Sequence, residues 1–308
     1  MSVVVNTVLP VFLVIVLGYL ARRTGRISAE GVRGINDFVF ALALPALLFN
    51  GAASAGPSAA TATVAIAFFS GCLPVYALAL LVGRWRGLRL ADSGLFALDA
   101  SYGNLVMLAL PIVLGAYGPD GLRALLAIIG LHSIVMLPIA TLVAELGLHG
   151  RSSPRRIMAA TLGAVLRNPV VMGVALGGLW SLLLPPPPEA MSRLLALLGA
   201  AGPPAALFCL GASLTGFNIR RDWPDATLAV VLKLLGVPLA VWLACRFYGL
   251  DGIATAVAVT AAGMPTGANA FILARRYATG MNRSGATVLL ASALSVVTLS
   301  TIIALFHR

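Results

Sequence analysis

The chain is organised as ten long apolar runs separated by short polar segments. A helix that crosses a bilayer needs about 20 apolar residues, and each run is close to that length. The runs lack the alternation of membrane barrel strands, so the pattern predicts an all-helical integral membrane protein. The runs fall at residues 3–21, 33–53, 62–83, 94–117, 122–146, 157–184, 190–214, 226–246, 252–274 and 284–306.

The composition supports a lipid environment. Of the 308 residues, 60% are hydrophobic and 10% are charged, with a mean hydropathy of +0.99. Soluble domains carry about 25% charged residues, because their surface must be wetted. The first run begins at Val3 and the basic residues follow it, at Arg22 and Arg23. A signal peptide has the opposite polarity, so we expect this run to be retained as the first helix.

The arginines are distributed unevenly between the loops. Sixteen lie in or beside the odd-numbered loops and four lie elsewhere, and the net charge is +11. Basic residues accumulate on the cytoplasmic side of a membrane. The distribution therefore predicts a multi-pass protein of the cell (inner) membrane with both termini extracytoplasmic. It also accounts for the positive charge without nucleic acid as a partner.

An even number of helices with both termini on one side fits two halves of five helices, at residues 1–150 and 151–308. Five is odd, so the second half enters the membrane inverted. Pro45-Ala-Leu-Leu-Phe49 and Pro204-Ala-Ala-Leu-Phe208 begin 159 residues apart and match each other. Inverted repeats recur among secondary transporters. The sequence thus predicts a 5+5 inverted repeat.

The fourth and ninth runs contain matched polar interruptions. The fourth has Ser101-Tyr-Gly-Asn104, and the ninth has Gly263-Met-Pro-Thr-Gly-Ala-Asn269. Pro lacks an N–H and Gly adopts backbone angles that other residues avoid, so both interrupt helices. The N-terminus of a half-helix offers free N–H groups and a positive dipole end. Two such ends meeting at the midplane predict a site for an anion, commonly a carboxylate.

Two sets of positions follow from these interruptions. The predicted substrate-binding residues are Gly103, Asn104, Pro265, Thr266 and Asn269. The predicted helix-break or structural positions are Pro45, Pro111, Pro204, Gly263 and Gly267.

Few ionisable residues lie inside the runs, and three are coupling candidates. Asp99 lies one helical turn before the fourth-run break, where it could carry a proton, bind a cation or pair with Lys233. Lys233 could instead be structural. His132 could carry a proton or form a hydrogen-bonded packing contact. The only cofactor expected is a coupling H⁺ or Na⁺, and no metal site is predicted.

Several segments resemble the auxin efflux carrier family, which includes PIN-type carriers and malate and malonate permeases. They are Leu9–Tyr19, Arg23–Arg26, Leu44–Phe49, Asn104–Pro111 with Tyr117-Gly118, Asn168-Pro169 with Gly173, and Pro265–Tyr277. The resemblance covers the whole chain in order. It implies ten helices, with helices 1, 2, 6 and 7 as a scaffold that is often dimeric. Helices 3–5 and 8–10 would form a transport domain in which broken helices 4 and 9 cross, as in sodium/proton antiporters and bile-acid symporters.

The leading hypothesis is therefore a secondary active or potential-driven transporter of small organic anions, such as auxin-like acids, malate or malonate. It would work by elevator-type alternating access in the lipid bilayer, as a homodimer. The alternative is a Na⁺- or H⁺-coupled symporter or antiporter of related fold. An enzyme would need clustered His, Asp, Glu or Cys residues in the runs, and these are missing.

Overall fold

The computed structural model describes residues 2–55, 59–149, 163, 166–215 and 223–306, and throughout these ranges the protein is helical without β-strands. The helices of the first half are α1 Ser2–Arg23, α2 Ala29–Phe38, α3 Leu44–Ala55, α4 Ala59–Trp85, α5 Leu90–Asp99 and α6 Leu110–His149. Those of the second half are α7 Pro169–Leu183, α8 Glu189–Ala200, α9 Gly202–Leu214, α10 Trp223–Val231, α11 Val237–Phe247, α12 Gly252–Ala262, α13 Ala268–Arg276 and α14 Met281–Phe306.

Three short π-helical turns interrupt or open helices. Val39–Ala43 joins α2 to α3, Leu105–Ala109 leads into α6, and Leu232–Gly236 joins α10 to α11. Single π-helical turns inside α-helices are frequent at functional sites. In this protein the first two contribute residues to a central cavity, and the third carries Lys233.

Within the described ranges, six helical stretches are long and apolar enough to cross a membrane. They are Ala29–Ser54, Thr61–Trp85, Leu105–Leu148, Glu189–Leu214, Trp223–Phe247 and Met281–Phe306. The protein is thus a multi-pass, all-helical membrane protein, as predicted. The count of ten helices and their 5+5 repeat stay predictions. The predicted cytoplasmic arginines at 151–156 and 220–221 lie outside the described residues.

The fourth and ninth apolar runs are both broken helices. In the fourth, α5 ends at Asp99 and helical structure resumes at Leu105. In the ninth, α12 ends at Ala262 and α13 begins at Ala268. A further break divides the long helix α6 at Gly118, whose φ of 63° and ψ of −159° are accessible to glycine. This break separates the predicted fourth and fifth runs.

The helices pack in two groups that meet at the centre. In one group, α1 packs on α9, and α3 packs on α7 and α8. In the other, α4 packs on α5 and α11, α6 packs on α5 and α12, and α10 packs on α14. The groups touch where α1 meets α6 and α14, where α3 meets α6, and where α9 meets the Leu105–Ala109 turn. The broken helices belong entirely to the second group.

Candidate functional site

The two breaks are joined by backbone hydrogen bonds. Gly103 and Thr266 form an isolated antiparallel β-bridge. The N–H of Asn104 donates to the carbonyl of Pro265 at 2.8 Å, and the N–H of Gly267 donates to the carbonyl of Tyr102 at 3.0 Å. Unpaired backbone groups are costly inside a membrane protein, so this mutual pairing makes two extended segments tolerable there. The broken helices therefore cross at these residues.

Each second half-helix begins at this crossing. Asn104 is the N-cap of the Leu105–Ala109 turn, and its Oδ1 accepts a hydrogen bond from the N–H of Met107 at 3.3 Å. Gly267 is the N-cap of α13 and makes no side-chain cap. The side chain of Asn104 thus satisfies one terminal N–H, while the amides at the start of α13 lack such a cap. The bridge thus sets two helix N-termini, each a positive dipole end, beside each other.

Side chains connect the crossing to the neighbouring helix α6. Asn269 Nδ2 donates to the hydroxyl of Tyr102 at 2.9 Å, and that hydroxyl lies 2.8 Å from Ser133 Oγ. Thr266 Oγ1 donates to the carbonyl of Asp99 at 2.8 Å. The ring of His132 stacks on that of Tyr102, with centroids 4.4 Å apart and planes at 29°. Asn269 is thereby held by a network and not merely exposed beside the break.

The first half-helices end at the same crossing, and each end receives a side-chain donor. Lys233 Nζ donates to the carbonyl of Ala262, the last residue of α12, at 2.5 Å. Cys72 Sγ donates to the carbonyl of Ser101, just beyond α5, at 3.6 Å. The two donors are 161 residues apart, and so are the two acceptors. Lys233 is the only lysine of the chain and is buried. The positive charge of its ammonium group offsets the negative dipole at the C-terminal end of α12.

The possible pairing of Asp99 with Lys233 is wrong. Asp99 instead accepts hydrogen bonds from Arg283 Nε at 3.4 Å and from Ser284 Oγ at 2.5 Å. Arg283 NH1 also donates to Asp92 Oδ1 at 2.8 Å. Both Arg283 and Asp99 are buried, although Arg283 lies just before the tenth predicted run, which begins at residue 284. Arg283 lies in the first turn of α14, and the packing of α14 places it against α5. Spacing along the chain does not reveal this contact.

A cavity of about 320 Å³ lies beside the crossing, between the two helix groups. The helix group of α4–α6 and α10–α14 contributes polar side chains of the crossing and of α6. The other helix group contributes the start of α7, part of α9 and the end of α2. None of the described residues that line it is an aspartate, glutamate, lysine or arginine. The polar lining residues are Asn36, Tyr102, Asn104, His132, Ser133, Asn168, Ser213 and Asn269.

The structure brings together most of the residues predicted for the site. Gly103, Asn104, Thr266 and Asn269 meet at the crossing, and the carbonyl of Pro265 pairs there. Gly263 caps the end of α12 and Gly267 caps the start of α13. Pro111 lies in the first turn of α6, and the helix continues through it. Pro45 and Pro204 lie in the first turns of α3 and α9, away from the crossing.

Four contributors were missed by the sequence reasoning. Tyr102 and Ser133 anchor Asn269, Arg283 pairs with Asp99, and Asn168 lines the cavity. Asn168 followed by Pro169 has the sequence signature of a helix N-cap with proline in the first turn, which could have been recognised. The other three depend on contacts between residues far apart in the chain.

A polytopic helical protein with two crossing broken helices and a central polar cavity belongs to the class of membrane transport proteins. The chain matches the family model described as "Membrane transport protein" over residues 3–303. It therefore belongs to this family, the auxin efflux carrier family that its sequence resembles.

The chain is also similar to three curated proteins, two of which are described as transporters. The chain is 28% identical to a "Putative malonate transporter" of Rhizobium meliloti, over 97% of this chain and 95% of that protein. It is 27% identical to an "Uncharacterized transporter" of Methanothermobacter thermautotrophicus, over 96% of this chain and 95% of that protein. It is also 29% identical to a "Lysosomal cholesterol signaling protein" of Mus musculus, over 74% of this chain but 28% of that longer protein.

Proposed function

We propose that this membrane transporter moves small organic carboxylates by alternating access and binds the carboxylate where the two broken helices cross. The observation that carries the proposal is the Gly103–Thr266 bridge, because it sets two helix N-termini side by side at the wall of a polar cavity. Asn104 and Asn269 add neutral amides at the same wall. The similarity to a protein described as a malonate transporter supports an organic anion as the substrate.

The charges around the crossing favour an anion. Each helix end carries about half an elementary charge, positive at the N-terminus and negative at the C-terminus. The two C-terminal ends together hold about one negative charge, which the ammonium group of Lys233 offsets. The two N-terminal ends then leave about one positive charge facing the cavity, which one carboxylate would neutralise. Asp99 does not line the cavity, and its carboxylate pairs with Arg283, which also bonds Asp92.

The predicted ten-helix 5+5 architecture is part of this proposal. The two donors, Cys72 and Lys233, are as far apart in the chain as their two acceptors, Ser101 and Ala262. This equal spacing supports an internal repeat, because a repeat places equivalent donors on equivalent helix ends. The two packing groups support an elevator movement. The group of α4–α6 and α10–α14 carries the crossing, and the group of α1–α3 and α7–α9 would form the scaffold of a homodimer.

The cavity indicates which side is open in this conformation. Asn36 lies near the start of the second predicted span, Asn168 at the start of α7 and Ser213 near the end of α9. Asn36 and Ser213 adjoin odd-numbered loops, and Asn168 lies in the half of the sixth run, 157–184, that is nearer the fifth loop; the arginine distribution assigns these loops to the cytoplasm of the cell. We infer that the structure is an inward-facing state and that both termini are extracytoplasmic. A reporter fused at residues 151–156 tests this orientation, and a periplasmic signal there contradicts it.

The coupling ion is the least constrained part of the mechanism. Asp99 is already bonded by Arg283 and Ser284, so an ion that used this carboxylate would have to displace one of them. This arrangement favours potential-driven movement of the anion over the alternative Na⁺- or H⁺-coupled mechanism. Moving one charge through 100 mV contributes about 2.3 kcal/mol, which is enough to drive export from a cell that is negative inside.

The decisive experiment is uptake and counterflow in proteoliposomes against a panel of carboxylates, at several values of pH, Na⁺ concentration and membrane potential. We expect at least one short-chain carboxylate to be transported, with a rate that follows the potential. Asn104→Ala and Asn269→Ala should each reduce binding by about tenfold or more, since each removes a polar contact in a water-poor site. Asn50→Ala is the matched control, because Asn50 lies on α3 outside the cavity and its Oδ1 has no hydrogen-bond partner among the described residues. Unchanged binding in both crossing variants contradicts the site.

A further inference from the structure

We propose that the proline that follows each π-helical turn is a positioning residue, and that Pro238 in this way places Lys233 against the end of α12. The inference rests on the proposed function, because there the ammonium group of Lys233 offsets the helix dipole beside the anion site. Pro238 lies in the first turn of α11 and does not line the cavity. It would therefore affect the anion through Lys233 and without contact.

In the described ranges, all three π-helical turns stand at the same distance from a proline, which is the second residue after the turn. The pairs are Val39–Ala43 with Pro45, Leu105–Ala109 with Pro111, and Leu232–Gly236 with Pro238. In each case the residue just before the proline donates its N–H to the carbonyl five positions earlier. An α-helix would use the carbonyl four positions earlier. The repeated spacing indicates that the proline and the turn belong together.

Proline favours the wider turn for a steric reason. In an α-helix the ring of Pro238 would press on the carbonyl of Leu234, four positions earlier, and Pro238 has no N–H to bond there. Proline alone is not sufficient, because Pro74 and Pro138 lie in uninterrupted stretches of α4 and α6. The wide turn therefore needs a further contact that holds it, and here Lys233 makes that contact from within the turn.

The extra residue of the turn sets the direction of Lys233. Each residue of an α-helix adds about 100° of rotation, so a π turn rotates the preceding residues by about that angle relative to an α-helix. The following helix α11 is closely packed, since a Cβ on Gly71 of α4 would lie 2.5 Å from the backbone nitrogen of Val241. With α11 in place, the turn carries Lys233 Nζ to 2.5 Å from the carbonyl oxygen of Ala262. An α-helix through the same residues would direct the side chain away from α12.

Losing this direction would leave the ammonium group and the helix end without partners. Among the described residues, Lys233 donates a hydrogen bond only to the carbonyl of Ala262. Its side chain is buried, so water does not replace this bond. The negative dipole at the end of α12 would also lose its cation, which weakens the binding of an anion beside it. Pro238 should therefore affect the affinity from outside the cavity.

The first test locates Lys233 without any substrate. It is the only lysine of the chain, so lysine labelled with nitrogen-15 at Nζ gives a single ammonium signal in solid-state NMR of proteoliposomes. Pro238→Ala should shift this signal. Pro138→Ala is the matched control and should leave the signal in place, because Pro138 is half-buried, follows no π turn and lies outside the cavity. An unchanged signal in Pro238→Ala overturns the proposal, whatever the protein binds.

The second test asks whether Pro238 acts through Lys233, with malonate as the probe and the full chain in lipid nanodiscs. Isothermal titration should show malonate binding weakened about fivefold by Pro238→Ala and about tenfold by Lys233→Met. The double variant should lose no more than about twofold beyond Lys233→Met, because residues that act as one unit are not additive. Losses that multiply overturn the proposal. If the wild type binds no carboxylate of the transport panel, the proposed function fails, and the NMR signal alone decides whether Pro238 places Lys233.

Removing one residue provides a rescue. A π turn contains one residue more than the α-helix that would replace it, so deleting the exposed Leu235 should let the turn of Pro238→Ala become α-helical without rotating Lys233. We expect this chain to recover the wild-type signal and to bind malonate within about twofold of the wild type. A folded chain whose signal stays displaced overturns the proposal. Where Pro238→Ala does not fold, the same cycle at Pro111 and Asn104 decides it, because Asn104 caps the turn that Pro111 follows.

Discussion

The carboxylate of Asp99 and the guanidinium of Arg283, 184 positions apart in the chain, form a buried ion pair with Nε 3.4 Å from Oδ2. The side chains are 1% and 3% exposed. Arg283 also reaches Asp92, and Asp99 also accepts from Ser284, so all of these groups have partners. The cluster ties the start of α14 to both ends of α5, the half-helix that ends at the crossing.

Removing one member of this cluster should destabilise the protein. Arg283→Gln leaves Asp99 buried without its opposite charge, and breaking such a pair costs about 3–5 kcal/mol. We expect a clearly lower thermal unfolding midpoint in nanodiscs, with a smaller loss in the double variant Asp99→Asn/Arg283→Gln. The control is Arg86→Gln, which removes the partly exposed pair with Asp225 and should cost less than about 1 kcal/mol. Equal midpoints for Arg283→Gln and Arg86→Gln would contradict a buried pair.

Lys233 should be required for tight anion binding without touching the anion. Lys233→Met keeps much of the side-chain volume but leaves the end of α12 without a cation. We expect carboxylate affinity to fall by about tenfold, equivalent to about 1.4 kcal/mol, as measured by isothermal titration. Cys72→Val is the comparison, because it removes a neutral donor from the equivalent end at Ser101. Cys72→Val should change the affinity by no more than about twofold. An equal loss of affinity in both variants would contradict the proposal that the charge of Lys233 supports anion binding.

Close packing between α3 and α7 should distinguish two adjacent glycines. A Cβ added at Gly177 would lie 2.5 Å from the carbonyl oxygen of Phe49, whereas one added at Gly178 meets nothing within 4 Å. Gly177→Ala should therefore destabilise the protein by about 1–3 kcal/mol, because the helices must separate. Gly178→Ala should be neutral or slightly stabilising, since alanine favours the helix. The thermal unfolding midpoints of the two variants are compared side by side. A similar loss of stability in both variants would contradict close packing of α3 and α7 at Gly177.

The hydroxyl of Tyr102 should position Asn269 for binding. Tyr102→Phe removes the contacts to Asn269 and Ser133 but keeps the ring that stacks on His132. We expect carboxylate affinity to fall about fivefold, consistent with the loss of about one hydrogen bond. The protein should remain folded, as judged by size-exclusion chromatography. Tyr76→Phe removes a buried hydroxyl bonded to the carbonyl of Gly94, outside the cavity, and should leave affinity unchanged.

Local sequence features predicted the helical character, the broken helices and much of the site. The interruption around Gly103 and the one around Pro265 were located correctly because backbone chemistry acts within a few residues. Pairing with Lys233 was one of three possibilities for Asp99, and the structure pairs Asp99 with Arg283 instead, because depth in the membrane alone does not say which side of a helix a residue occupies.

What the sequence determined by itself is the solvent of this protein and the positions where its helices break. Both follow from properties of short segments: the transfer of apolar side chains into lipid, and the missing N–H of proline or the missing Cβ of glycine. Only the tertiary structure decided that Arg283 pairs with Asp99, that Lys233 meets the end of α12 and that α7 points into the cavity. These contacts depend on how helices distant in the chain rotate and cross, and packing of the whole molecule sets that geometry.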